Sequence, residues 1–368
     1  MKALTNTLEN LRLRYPLENL CSLSDALFFD IETTGFTARS SSLYLIGCAY
    51  YEDDQWHIKQ WFAEGPSEQK EILEAFFSFA KTRRFLVHFN GNRFDLPYLA
   101  QKSMQLDVTD PLGDFDGIDV YRLIYPYKAF LHLENLKQKS LERFLGVDRD
   151  DKYSGGELIS VYQEYVGNPT KEALDLLLLH NAEDLEGMLQ ILPMLSYADL
   201  FNDTLQVQKV QYNHYSDENA ESKCELLIKA NLPQAIPKSL RVNSDGCFAM
   251  LEGEDLTLRI PVFEGELKYF YENYKEYYYL PKEDMAMHKS VASFVDRQFR
   301  EPAKACNCYT RKISAFLPQW SCAHAPVFQI DYQSADLFLE LTEERKKDRA
   351  FFAAYATHVL KHIASCLS

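Results

Sequence analysis

Asp30-Ile31-Glu32-Thr33-Thr34-Gly35 follows directly on the apolar run Ala26-Leu27-Phe28-Phe29. A short apolar run closed by turn residues reads as a buried strand. Side chains two apart on a strand share a face, so the carboxylates of Asp30 and Glu32 project together. Like charges held that close repel unless one takes a proton or a cation lies between them. Hard oxygen ligands favour Mg²⁺ or Mn²⁺ over zinc, which prefers nitrogen and sulfur. Taken alone, the segment also reads as an exposed strand end entering an ordinary Thr-Thr-Gly turn.

Two further segments bear on that choice. In Phe85-Leu86-Val87-His88-Phe89-Asn90-Gly91-Asn92-Arg93-Phe94-Asp95, a short buried strand meets an Asn-Gly turn and then a helix opening near Asp95, with Pro97 in its first turn. Asp95 is either a site acid or a helix-capping one. In His180-Asn181-Ala182-Glu183-Asp184, a helix starting after Asn168-Pro169-Thr170 sets His180 and Asp184 one turn apart on one face. A polar stripe on a wet helix surface would look the same.

The three segments in order, Asp-x-Glu, Asn-x3-Phe-Asp and His-x3-Asp, resemble the exonuclease motifs of the DEDD superfamily of ribonuclease H-like 3′-5′ exonucleases. Phe89 to Leu99 is similar to the second motif of proofreading domains in family B DNA polymerases. Across roughly residues 27–193 the layout is similar to the bacterial YprB-like branch. The resemblance implies that Asp30, Glu32, Asp95 and Asp184 hold two divalent ions, Mg²⁺ or Mn²⁺, with Asp30 bridging. It implies that His180 positions or deprotonates the attacking water, and that Thr33, Thr34, Phe36 and Asn90 contact the terminal nucleotide and its backbone. One departure stands out: the histidine branch spaces its His four residues before the Asp, and the three-residue gap here belongs to the tyrosine branch. Asp119 is a strand acid that reads equally as a neighbour of the metals or as solvated.

The remaining sequence sets bounds. A chain of 368 residues has room for two packed domains. The expected division is a ribonuclease H-like exonuclease domain over 1–200, a boundary over 201–221, and a β-rich C-terminal module over 222–368. Within the first, 43–51 and 55–63 read as a hairpin, 85–89 and 118–124 as strands, and 67–81, 135–145, 156–166 and 170–197 as helices. This gives an α/β fold with a mixed sheet flanked by helices. The module that follows reads as α+β, with short antiparallel strands and helices near 284–301 and 341–366.

A formal net charge of −15 argues against a protein that coats nucleic acid by bulk charge, because phosphate neutralisation supplies most of that affinity. Eight cysteines in a chain of this size do not form a disulfide framework. The N-terminal residues lack an apolar secretory segment and no stretch reaches 18 apolar residues, so the expected location is cytoplasmic, without membrane contact.

Lys268-Tyr269-Phe270-Tyr271 and Tyr274 to Tyr279 set aromatics beside positive charge, as sequence-tolerant binding of single strands does. The same tyrosines, alternating along strands, equally pack a sheet. Cys306, Cys308, Cys322 and His324 offer four soft ligands to a structural zinc, or serve as small apolar residues.

The expected function is a metal-dependent 3′-5′ exonuclease acting on single-stranded DNA or RNA, with the YprB-like resemblance adding a helicase or another nucleic-acid-processing protein as a partner. The competing readings are a catalytically silent nucleic-acid-binding or scaffold protein on the same fold, and a two-metal endonuclease.

Overall fold

The apolar run is the centre of a sheet. In the computed structural model Ala26, Leu27 and Phe28 are fully buried and Phe29 nearly so. The model describes the chain apart from residues 10, 150–152, 154, 203–204, 217–221 and 368. It divides into two compact units, Met1–Ala198 and Asp199–Ser368.

The first unit holds six strands: β1 (Lys2–Leu8), β2 (Ala26–Thr33), β3 (Leu43–Glu52), β4 (Gln55–Phe62), β5 (Phe85–His88) and β6 (Asp116–Asp119), in the order β1-β4-β3-β2-β5-β6. β2 pairs antiparallel with β3 and parallel with β5, and β5 pairs parallel with β6. The hairpin is antiparallel and the strands reached through helices are parallel, as short and long connections require. This is a ribonuclease H-like mixed sheet.

Its two faces are covered by different helices: α1 (Gln69–Ala80), α2 (Asp95–Leu106), α3 (Val120–Ile124), α4 (Gln138–Leu145), α5 (Gly155–Gly167) and α6 (Lys171–Gln190) follow in chain order. Leu27, Phe29 and Ile31 share a core with Ile72, Phe76 and Phe77 of α1 and Tyr98 and Leu99 of α2. Tyr44 and Phe62 pack against Tyr162 and Tyr165 of α5 and Leu177 of α6, with the Tyr44 and Tyr162 rings stacked at 4.3 Å. The odd-numbered side chains of β2 therefore go to one core, and Asp30 and Glu32 are left facing α6.

One sequence expectation changes here, and one strand goes beyond the sequence reading. The strand read over 118–124 ends at Asp119, whose carboxylate accepts from the Arg122 amide at 3.4 Å and caps α3; an N-cap acid halts the strand and opens the helix. The N-terminal residues form β1 on the edge of the sheet, where a mostly exposed, alternating pattern carries little apolar signal.

In the second unit, Asp203, Thr204 and residues 217–221 of the expected boundary lie outside the described residues. Between them Gln206–Ser216 forms β7, paired antiparallel with β8 (Ser222–Asn231). β8 continues into a sheet with β9 (Leu240–Ser244), β10 (Cys247–Glu252), β11 (Asp255–Phe270) and the strand Tyr309–Gln319. A small second sheet sets Tyr277–Leu280 between Met285–His288 and Glu301–Pro302. The helix expected near 284–301 is therefore a strand followed by a single helical turn, Lys289–Ala292. The closing helix runs over Arg349–Leu367, starting later than expected because Asp348 accepts from the amides of Ala350 and Phe351. Among the described residues, no helix is long and apolar enough to cross a membrane.

Candidate active site

Asp30 sits opposite Gly47 of β3 in the sheet. A Cβ at Gly47 would lie 1.9 Å from Asn181 Oδ1 and 2.8 Å from Leu185 Cδ1, so the glycine is what lets α6 lie against the sheet. Fully buried Asn181 then donates from Nδ2 to Asp30 Oδ2 at 3.0 Å, and its own carbonyl accepts from Gln60 Nε2 at 2.9 Å. Gln60 also donates to the Leu178 carbonyl at 2.9 Å. One buried amide relay thus orients Asp30 from β4 through α6.

Asp95 arrives as the first residue of α2. Burial pushes its carboxyl up to about 7, against hydrogen bonds from the amides of Asp95 itself and Ile31. Asp30 is driven well above the usual carboxylate range, first by burial and then by the charges of Glu32, Asp184 and Asp95. Glu32 is 8% exposed, and its Oε2 accepts from Tyr44 Oη at 3.5 Å.

From α6, His180 Nε2 lies 3.6 Å from Glu32 Oε1 and 3.5 Å from Asp184 Oδ2. One ligand atom from each of Glu32, His180 and Asp184 falls within 4.8 Å of the others. The four acids and the histidine of the three motifs thus converge from β2, α2 and α6. Close-set carboxylates whose charges help to raise Asp30 and Asp95 are a fit for divalent cations, which would relieve the repulsion.

Residues that sequence reasoning missed complete the arrangement. Arg149 reaches Asp184 with one terminal nitrogen and clasps both oxygens of Glu142 with two others. Glu142 is 2% exposed. Gln138 Nε2 donates to Glu142 Oε1 at 3.0 Å and to the Asp184 carbonyl at 2.7 Å. Gly187 leaves room for this cluster, since a Cβ there would lie 2.1 Å from Glu142 Oε1.

The expected substrate residues ring the site in different states. Thr33 Oγ1 donates to the Gly35 carbonyl at 2.9 Å, and Thr34 Oγ1 accepts from the Ser42 amide at 2.8 Å. Both hydroxyls brace the turn after β2. Phe36 is 92% exposed, with its ring 5.9 Å from that of Phe94, the residue before Asp95. Asn90 takes a left-handed φ of 62° and donates its amide to Asp119 Oδ1 at 2.9 Å. Asp119 is buried, acts on Asp95 through its charge, and ties β6 to the turn ahead of α2.

In the second unit the tyrosines mostly pack. Tyr271, Tyr274, Tyr277 and Tyr279 surround buried Ala286, Ala303 and Cys308, and the Tyr271 and Tyr277 rings stack at 4.5 Å. Tyr278 lies under Lys289 and Arg300. Cys308 is buried in this cluster while His324 packs beside Phe351 and His358, and the four soft ligands do not gather among the described residues.

Residues 27–196 match the family model described as the RNase_H superfamily. No curated protein matches the chain. Among solved structures, the chain is similar to the family B DNA polymerase from Pyrobaculum calidifontis, at 13% identity and a TM-score of 0.38, covering 66% of this chain and 33% of the polymerase. It is also similar to E. coli exonuclease I, solved as a zinc-bound complex with single-stranded DNA, at 12% identity and a TM-score of 0.28, covering 57% of this chain and 55% of that one. The chain thus spans about a third of the polymerase and about half of exonuclease I. The matched segment and the mixed sheet agree: residues 27–196, a little under half of the chain, match the RNase_H superfamily model and carry a ribonuclease H-like fold.

Proposed function

We propose that this chain is a metal-dependent 3′-5′ exonuclease that hydrolyses phosphodiester bonds at the end of a single strand. The observation that carries this reading is the convergence of Asp30, Glu32, Asp95, Asp184 and His180 from three elements onto one side of the sheet. A binding module has no use for so costly a cluster of like charges. The three ordered motifs of the DEDD exonucleases supply the direction of attack.

When bound, two Mg²⁺ or Mn²⁺ ions supply charge stabilisation at the attacking and leaving oxygens and acidify the water. The chain's residues do the rest. Asp30, held at Oδ2 by Asn181, would offer its other oxygen to the ions. His180, 3.5 Å from Asp184 and 3.6 Å from Glu32, takes the proton of the attacking water at Nε2. Exposed Phe36, beside Phe94, offers a face for the terminal base.

The test is degradation of 5′-labelled single-stranded DNA and RNA of equal sequence with Mg²⁺ or Mn²⁺, wild type beside Asp184→Ala. A ladder shortening from the 3′ end and lost in the variant supports the reading. Cleavage of a circular single strand would make the protein an endonuclease. Measurable metal binding with no cleavage of any substrate would overturn the nuclease assignment.

A further inference from the structure

Beside the acids, at the C-terminal ends of β5 and β6, a cavity of about 430 Å³ is lined by Asn90, Arg93, Asp119, Tyr121, Arg122 and Tyr125. The expected substrate residues include only Asn90 from this set. The turn Asn90–Phe94 leads from the cavity straight into α2, with the amides of Phe94 and Leu96 donating to the Gly91 carbonyl at 3.2 and 3.0 Å. The cavity and Asp95 are therefore built on one rigid piece of backbone.

Its lining is basic and aromatic in a chain that is acidic as a whole. Arg93 and Arg122 are exposed, and neither forms an ion pair with a described carboxylate. Tyr125 is 56% exposed, its ring 5.8 Å from that of half-buried Tyr121, which in turn packs edge-on against Phe89. Asn90 Oδ1, a buried oxygen of its lining, makes no hydrogen bond, while Asp119 Oδ2, also without one, faces buried His88 Nδ1 at 3.8 Å. Buried polar atoms are ordinarily satisfied, so Asn90 Oδ1 is a place for a ligand's donor.

Two free guanidiniums, two rings and one open acceptor in a space this size suit one chemical class. We propose that this cavity is a subsite for a nucleotide of the single-stranded substrate: Arg93 and Arg122 take the flanking phosphates, Tyr125 and Tyr121 stack the base, and Asn90 accepts from one of its exocyclic or ring N–H groups. This rests on the exonuclease reading above and adds to it the path of the strand, which passes along the β5–β6 edge. Guanidinium matches phosphate in a planar fork, and aromatic stacking tolerates any base.

The experiment is binding of a fluorescein-labelled oligothymidylate by anisotropy in Ca²⁺ buffer over a salt series. Wild type is set beside Tyr125→Ala, Tyr125→Phe, the pair Arg93→Gln with Arg122→Gln, and the same pair changed to Lys. Tyr125→Ala weakens binding by about 5- to 150-fold and Tyr125→Phe restores it. The Gln pair lowers the salt slope by about 1.4, two phosphates at roughly 0.7 each for a single strand, and the Lys pair keeps the wild-type slope. Equal affinity and slope in all variants, with wild type binding and degrading the strand, overturns the subsite and leaves the exonuclease reading standing. A wild type that neither binds nor degrades single strands overturns both. Matched thermal midpoints separate either result from misfolding.

Discussion

Arg149 holds one oxygen of Asp184 while the other oxygen of the same carboxylate lies 3.5 Å from His180 Nε2. The acid is thus gripped from behind, and its inner lobe is left toward Glu32. Partners of this kind orient a ligating carboxylate, and losing one typically costs 10- to 100-fold in metal affinity. Arg149 is mounted on buried Glu142, so Arg149→Met should destabilise by about 3–5 kcal/mol by stranding that charge. The double change with Glu142→Gln should recover most of that stability in urea titrations and keep the weakened Mn²⁺ affinity in calorimetry. Recovery of both would make Arg149 a structural partner of Glu142 alone.

Removing a like charge from the cluster should stabilise the metal-free domain. Each unit by which the fold raises a carboxyl pKa is about 1.4 kcal/mol against the folded state at a pH above both values. Asp30→Asn should therefore raise the thermal midpoint of the EDTA-treated protein at pH 8, by roughly 2–4 °C for each kcal/mol relieved. The same variant should hydrolyse no single strand. A lower midpoint would mean that the hydrogen bond from Asn181 outweighs the repulsion.

The pH response follows from Asp95. Its carboxyl is pushed up to about 7 in the folded protein, against about 3.9 in an unfolded chain. The native state binds the proton more tightly, so this group favours folding at low pH and its contribution erodes as pH rises from about 4 to about 7. Metal ions hold the carboxylate charged and reverse the sign. The midpoint of the metal-free protein should fall between pH 5.5 and 7.5, and the Mg²⁺-induced rise in midpoint should grow over the same interval. An Mg²⁺ shift that is flat across it would place Asp95 outside the metal set.

Gly47→Ala tests the packing behind Asp30. The new methyl group would meet Asn181 Oδ1 at 1.9 Å, an overlap that α6 must yield to at about 1–3 kcal/mol. Displacing Asn181 also loosens Asp30, so kcat should fall although residue 47 touches no substrate. Activity at wild-type level in a folded Gly47→Ala protein would show that Asp30 needs no support from α6.

The acids of the site were legible because each is announced locally. Asp30 and Glu32 end an apolar run, Asp95 opens a helix after an Asn-Gly turn, and Asp184 shares a helix face with His180. The residues that hold them were not legible. Gln60 bonds a partner 121 positions away, Asn181 one 151 away and Arg149 one 35 away, and no local pattern announces such pairs. Asn181 reads as one more polar residue on a long helix until Gly47 brings it against the sheet. Similarly, β1 and β7 carry too few apolar side chains to announce themselves, since as paired strands they are held by backbone hydrogen bonds that any side chain permits. The tyrosines near 271–279 read equally as a binding platform or as sheet packing, and only the ring contacts separate the two.

The four carboxylates are contributed in the order 30, 32, 95 and 184, with the last on α6 and its arginine clamp at 149. A chain emerging from the ribosome therefore carries three of the acids long before it carries the fourth. Until α6 has been made and has docked over Gly47, the centre lacks Asp184, His180 and the amide that orients Asp30. On the proposed reading, cleaving power would come late and all at once, with the closing of the first unit.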